Sequence, residues 1–437
     1  MSVKKVTIMP NFNNSHRNEA VNRLVLSNGI TLLVVENPTA DLVAGRIFLK
    51  NAGTRWENRQ QAGISHLLAS VITKGTRNLS SIEIAEKIES IGANLGADAS
   101  ADYFGFSWKT VAADFQLMLH LIAEIVRFPT FPEIEVELEK RLTIQSIRSQ
   151  QEQPFNVGFN QLREAMYQDH PYAFSLLGTE ETVSKLTSED LHRYHQNYFR
   201  PDNLVISLSG RLDLNQTINF IKDAFDDWDI PPHSLPFLQL PPIPIQPCQK
   251  MTPQETQQAI VMLGYLASGV KNREDYTALK LLNTYLGNGL SSRLFVELRE
   301  KRGLAYDVSG FYPTRLDNAQ FVVYMGTAPE NTAIALEGLR HEVERLVDQK
   351  LSSLEIKAAK NKLLGQYALG KQTNAEIAQI YGWYETLDLG IEFDHLFCEQ
   401  INLIDADKLQ NVALSYLTQP YVSLVGPYDI IKHQITL

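Results

Sequence analysis

The chain has 437 residues and a net charge of −10 at pH 7. That length exceeds the roughly 250–300 residues at which one hydrophobic core stops growing, so more than one domain is expected. Apolar residues make up 44% and charged residues 21%, an ordinary globular mix. A diffuse negative charge with no basic run argues against nucleic acid or an anionic membrane surface as the main partner. The two cysteines, Cys248 and Cys398, are too few for a disulfide framework or a four-cysteine zinc site. No run approaches the roughly 18 apolar residues of a membrane span. The opening MSVKKVTIMPNFNNSHRN lacks the apolar core of a signal peptide. These features point to a soluble protein of a reducing compartment, the cytoplasm ahead of a periplasm.

In chain order, NRLVLSNGITLLVVEN predicts a hairpin around Asn28-Gly29. LVAGRIFLKNAG predicts a strand, followed by helices near 60–73 and 80–92, more strand over 94–111 and a helix near 113–127. A further helical stretch is expected over 133–168. Thr187 is placed to cap the helix in TSEDLHRYHQNYF, and NLVISLSG reads as a buried strand ending at Gly210. Residues 231–247, PPHSLPFLQLPPIPIQP, are too rich in proline for a helix or central strand and predict a stiff, extended linker. Beyond it, QQAIVMLGYLA, LAYDVSGFYP, FVVYMGTAPE and YVSLVGP predict strands. TALKLLNTYLG, SSRLFVELREKRG and the stretch around 330–348 predict helices. The expected fold class is α+β. It comprises two domains related by duplication, 1–230 and 248–437, on either side of the linker at 231–247.

Two segments carry chemistry. In AGISHLLASVITKGT, Ile64, Leu67, Leu68 and Val71 form one apolar helix face. His66, Ala69 and Ser70 fall on the opposite face, toward solvent or a cleft. The segment resembles the inverted zinc motif H-x-x-E-H of the pitrilysin-like metallopeptidases. In that family two histidines bind zinc and the glutamate between them activates water. Here the first histidine remains as His66, Ala69 stands at the base and Ser70 at the second ligand. The family's third ligand, a glutamate about 76 residues further on, falls at Gln145-Ser146, and no acidic residue lies between Glu139 and Glu152. A catalytic zinc needs three protein ligands and an activated water, so the resemblance implies no metal and no cofactor in this chain. His66 by itself reads equally as a structural or merely exposed histidine. Two other patterns imitate metal motifs. His341-Glu342-Val343-Glu344-Arg345 lacks the second histidine of H-E-x-x-H, and His192 and His195 stand three apart on one helix near Glu189. A solvated helix face explains both.

The second segment, SSRLFVELREKRGLAYDV, resembles the stretch in the family's second half that carries a substrate-contacting Arg–Tyr pair. Arg299 and Tyr306 match those positions. Leu294, Phe295 and Leu298 predict an apolar helix stripe, Gly303 a helix C-cap, and LAYDV the start of a strand. The chain thus turns between the two residues. Peptide hydrolysis develops negative charge on the former carbonyl oxygen, which a tyrosine hydroxyl is suited to stabilise. An arginine fork suits backbone carbonyls or a terminal carboxylate. The loop Leu286-Gly287-Asn288-Gly289-Leu290 permits close backbone approach, as a substrate loop or simply as a helix end.

Residues 92–115 and 170–213 resemble the same family, so the likeness covers nearly the whole chain. It implies two homologous α+β domains closing as a clamshell. It further implies a zinc-less subunit paired with a homologous, zinc-bearing peptidase subunit, with a peptide or unfolded polypeptide as substrate. The competing expectation is a structural or interaction subunit like the respiratory-complex core proteins of the same family.

Overall fold

The computed structural model describes residues 4–6 and 21–432. Strands β1 (Lys4–Val6), β2 (Val21–Val25), β3 (Thr31–Glu36) and β4 (Leu42–Leu49) come first. Next are helices α1 (Ile64–Val71) and α2 (Ser81–Ser90), strands β5 (Asn94–Ala99) and β6 (Phe104–Val111), then α3 (Phe115–Arg127), α4 (Glu133–Glu152) and α5 (Pro154–Tyr167). They are followed by α6 (Glu180–Lys185), α7 (Ser188–Tyr198), β7 (Leu204–Gly210) and α8 (Leu214–Phe225). Residues 231–247 form neither helix nor strand. Beyond them run β8 (Gln249–Pro253), β9 (Ala259–Ala267), α9 (Arg273–Gly287), a π-helical turn (Phe295–Glu300), β10 (Asp307–Phe311) and β11 (Ala319–Thr327). The chain ends with α10 (Thr332–Asp348), α11 (Ser353–Leu369), α12 (Asn374–Thr386), α13 (Phe393–Leu403), α14 (Ala406–Tyr416), β12 (Tyr421–Gly426) and α15 (Tyr428–Ile431).

Local chemistry sets these boundaries. Thr187 caps α7 as expected, in a reciprocal box with Asp190. Ser80 with Glu83 does the same for α2, and Thr373 with Glu376 for α12. The single helical stretch expected over 133–168 is two helices. Pro154 at the first position of α5 forces Gln153 into an extended conformation (φ −95°, ψ 116°) and breaks the run.

The chain folds into two compact units, each assembled from separate stretches of sequence. The first contains residues up to 145, 175–239 and 368–395. Its seven-stranded sheet has the order β1-β2-β3-β7-β4-β6-β5. The β2–β3 hairpin turns where the sequence placed it, closed by the Leu26 N–H to Ile30 carbonyl bond of 2.9 Å. Successive side chains of β4 alternate between faces. Val43, Ile47 and Leu49 enter a core shared with α1 and α3. The opposite face of β4 and β7 is covered by α12. Arg23 on β2 grips Glu385 of α12 through two bonds of 3.0 and 2.6 Å, and Asn37 bonds Asn374 at 2.7 Å.

The second unit contains residues 146–174, 240–367 and 396 onward. Its five-stranded sheet has the order β10-β11-β9-β12-β8, with only the β12–β8 pair parallel. All nine positions of β9 are buried. A strand apolar on both faces needs cover on both, and α5 on one side and α10 on the other supply it. The Gln161 amide on α5 donates to the Ser423 hydroxyl of β12 at 2.6 Å. Both units are α+β.

Candidate functional site

Helix α1 begins at Gly63, which has no side chain to cap it. The first N–H groups of a helix need acceptors, and Glu57 provides them. Its buried carboxylate accepts from the backbone N–H of Gly63 at 2.8 Å and of Ser65 at 3.0 Å, and from the Ser65 hydroxyl. Burial pushes the Glu57 carboxyl up to about 7, against the pull of these hydrogen bonds. This cap was missed in the sequence, although a capless glycine at a helix start is itself a signal that a distant acceptor is required.

On α1 the three motif positions separate. His66 is half-buried, and desolvation lowers its proton affinity while the nearby Glu139 carboxylate on α4 partly restores it. Ser70 is tied down by a 3.2 Å bond from its hydroxyl to the His66 carbonyl. Ala69 does not face solvent or a cleft as expected. It is 8% exposed and packs within the hydrophobic core of the first unit. Helix α1 packs against both β5 and α7, so residues outside the Ile64–Val71 stripe, Ser65 and Ala69 among them, are buried as well. Glu139 forms an ion pair with Lys74 at 3.3 Å. Gln145 and Ser146 are exposed on α4.

Arg299 and Tyr306 belong to the second unit. Arg299 lies in the π-helical turn, a geometry that widens the helix by one residue per turn and is frequent at functional positions. Its guanidinium stands 4.9 Å from the centre of the Phe295 ring. Gly303, at φ +63°, takes the left-handed cap conformation and bonds the Arg299 carbonyl at 3.0 Å, while Leu304 bonds the Leu298 carbonyl at 2.9 Å. The chain then leaves for β10, and the Tyr306 N–H reaches the Gly326 carbonyl at 2.9 Å. Tyr306 is 56% exposed. Among the described residues, neither the Arg299 guanidinium nor the Tyr306 hydroxyl has an ion pair or hydrogen bond. One position along, Asp307 accepts from Tyr324 at 2.9 Å, and burial with that carboxylate raises the Tyr324 phenol to about 12.

Gly287 closes α9 where its backbone passes β10. A side-chain carbon there would lie 2.2 Å from the Gly310 nitrogen, so close packing accounts for this glycine. The loop after it is held by Lys362, which donates to the Asn288 carbonyl, and by Gln366, which accepts from the Asn288 amide at 3.1 Å.

The motif imitations are structural, but not because they lie on a solvated helix face as expected: Glu342 and His195 are buried. Glu342 is 1% exposed and pairs with Arg293 at 2.8 Å, and Arg345 pairs with Glu355. His195 is buried with its Nε2 2.8 Å from the Val126 carbonyl, and burial lowers it to about 4. The His192 Nε2 lies 3.2 Å from the Thr130 carbonyl.

Residues 31–180 match the family model described as insulinase (peptidase family M16), and residues 185–363 match the model of the peptidase M16 inactive domain. The chain belongs to the M16 peptidase family. It is 28% identical to the uncharacterized zinc protease YmxG of Bacillus subtilis over 419 residues, covering 93% of this chain and 98% of that protein. It is 27% identical to an uncharacterized zinc protease of Rickettsia felis, covering 93% and 97%. Among solved structures, a protease from Helicobacter pylori matches with a TM-score of 0.89 at 21% identity, covering 94% of this chain and all of that one. A peptidase M16 inactive domain from Pseudomonas fluorescens matches with a TM-score of 0.86 at 23% identity, covering 93% and 98%. These structures share the two-domain M16 fold.

The zinc that the M16 fold implies does not fit the residues present. Among the described residues, no group of three or more His, Cys, Asp or Glu side chains is arranged to hold a metal. The zinc-motif helix of this M16 chain offers one imidazole, His66, beside one carboxylate, Glu139, already ion-paired to Lys74. A methyl, a hydroxyl and the polar pair Gln145-Ser146 stand at the other positions, and none of these is a usual zinc donor. Nor is there a carboxylate between His66 and Ser70 to act as base. Among the described residues, no helix is long and apolar enough to cross a membrane.

Proposed function

We propose that this chain is the zinc-less subunit of a heteromeric M16 metalloendopeptidase, lending Arg299 and Tyr306 to a homologous partner that supplies the zinc and the general base. The observation that carries this reading is a contrast within one chain. The zinc-motif helix lacks its base and second ligand, while Arg299 and Tyr306 keep their polar ends exposed and uncommitted. A protein serving only as scaffold has no chemical need to keep an unpaired guanidinium and phenol in that segment. The Tyr306 hydroxyl donates to the oxygen that becomes negative as the peptide carbonyl is attacked. The Arg299 fork binds a backbone carbonyl or a terminal carboxylate of the substrate. The substrate class is a peptide or unfolded polypeptide, and the compartment is the cytoplasm.

The test is reconstitution. The chain is mixed with a zinc-bearing M16 subunit and hydrolysis of a quenched fluorescent peptide is followed. The wild-type chain raises the rate, and Arg299→Ala or Tyr306→Phe removes that gain. Peptide hydrolysis undiminished by both substitutions overturns the proposal.

A further inference from the structure

Helix α4 has two opposed faces. Val136, Lys140, Thr143 and Ile147 are buried and, at about 100° per residue, share the side turned inward. The outer side of such a helix is normally polar. Here it carries Ile134, Leu138 and Leu142, which are 84%, 41% and 47% exposed. Their i, i+4, i+8 spacing is one of the ridges by which helices pack on one another. Ile82, in the first turn of α2, is 72% exposed. Ile82 and Ile134 line one groove of about 560 Å³, which places Ile82 beside the N-terminal end of the ridge. Single exposed apolar residues need no cover, but an apolar row along one helix face, rimmed by charged residues, is the arrangement of an interaction surface. A standard interface takes about 800 Å² from each partner, somewhat more than half of it apolar. The row supplies that apolar centre.

We propose that this ridge joins two copies of this chain, α4 lying antiparallel on α4 about a two-fold axis at Leu138. Leu138 then meets its own symmetry mate, and Ile134 of each copy lies over Leu142 of the other. The charges fit this arrangement. Arg141 flanks the ridge and, among the described residues, has no carboxylate partner; its Nε only donates to the Glu137 carbonyl at 3.2 Å. Glu137 lies on the same flank, one turn away. Its Oε1 accepts from Lys140 at 2.6 Å, which leaves its second oxygen available. In the antiparallel pairing Arg141 is three residues past the axis and faces Glu137 of the second copy, offset by about 3 Å along the helix. Symmetry makes this contact twice. A parallel two-fold pairing sets the Arg141–Glu137 flank of each copy against the opposite flank of the other, and this contact is not made. None of these residues bears on the role of Arg299 and Tyr306.

The test is the molar mass of the full chain by sedimentation velocity between about 1 and 100 µM, a range that brackets micromolar association. The wild-type chain sediments as a dimer. Leu138→Asp weakens the dimer by about 30-fold or more, as expected for a central contact, with unchanged circular dichroism and melting because the side chain is exposed. Arg141→Glu also weakens it, and adding Glu137→Arg to the same chain restores it. A monomeric wild-type chain across this range overturns the proposal, as does a dimer indifferent to Leu138→Asp. If the wild-type chain is monomeric and Leu138→Asp instead abolishes binding of a zinc-bearing subunit, the ridge belongs to that subunit and self-pairing is wrong.

Discussion

Glu57 and Ser65 are joined through both the backbone N–H and the hydroxyl of the serine, and this contact fixes the start of α1. The carboxyl titrates at about 7 in the fold because burial outweighs its hydrogen bonds. A carboxyl raised above its unfolded value, about 4.3, favours the folded state in its protonated form. Its contribution is complete below the unfolded pKa and is lost as pH rises through about 7. Glu57→Gln keeps one acceptor and cannot ionise. At pH 5 it is expected to cost about 1 kcal/mol, the worth of one hydrogen bond, and the deficit should shrink or reverse by pH 8. Urea unfolding of both proteins across that range measures the crossover, and a deficit that grows with pH would contradict the burial argument.

Ala69 sets a limit on rebuilding the metal site. It is 8% exposed within the core, so Ala69→Glu must bury a carboxylate or push α1 aside. The expected cost is about 2 kcal/mol or more, read as a lowered melting temperature. Ala69→Glu with Ser70→His still lacks a third anionic donor, and calorimetry should find no tight zinc binding. Adding Ser146→Glu supplies the donor that the M16 pattern asks for, and zinc affinity should rise. Tight binding by the double variant would show that a ligand has been overlooked.

Much of this was legible from residue pattern. The Asn28-Gly29 hairpin, the Thr187 cap and the short apolar runs of β7 and β9 are local, and local rules found them. The break at Pro154 was also local but was overrun by an unbroken helical period on both sides. What the sequence could not show is long-range. The pairing of α5 with β9 and β12, and of α12 with β4 and β7, gives each compact unit a helix from the other half of the sequence. Short-range periodicity carries no information about which sheet an amphipathic helix will cover. Ala69 illustrates the same limit. A helical wheel separates it from the apolar stripe, yet packing buries it. The widening of the helix into a π turn at Arg299 likewise has no counterpart in hydrophobic spacing.

The Arg293–Glu342 pair tests whether the H-E-x-x-R segment has a role beyond structure. Glu342 is 1% exposed, whereas the Arg293 side chain is 26% exposed and also bonds Glu297 at 3.0 Å. Removing the arginine leaves a buried carboxylate without its cation. Losing a fully buried partner costs about 3–5 kcal/mol; partial solvent access to Arg293 lowers the expectation to about 2–3 kcal/mol. Arg293→Ala should therefore melt several degrees earlier, while a chelator leaves both proteins unchanged. Chelator-sensitive melting of the wild-type chain would revive the metal reading of this segment.

Arg299 and Tyr306 offer the sharpest separation of stability from activity. Among the described residues, neither polar end has a hydrogen bond or ion pair, and Tyr306 is 56% exposed. Surface substitutions of that kind usually change stability by no more than about 0.5 kcal/mol, so Arg299→Ala and Tyr306→Phe should melt with the wild-type chain. In the reconstituted enzyme the loss of a transition-state donor at Tyr306 should lower kcat by about 10²–10³ with little change in KM. Arg299→Ala removes substrate binding as well, so KM should rise, and Phe295→Ala, which leaves the guanidinium without the ring it rests on, should shift KM in the same direction by less. Equal melting with unequal kinetics would tie both residues to catalysis. Substitutions that lower melting and activity in parallel would mean that the two side chains only support the π turn and the start of β10.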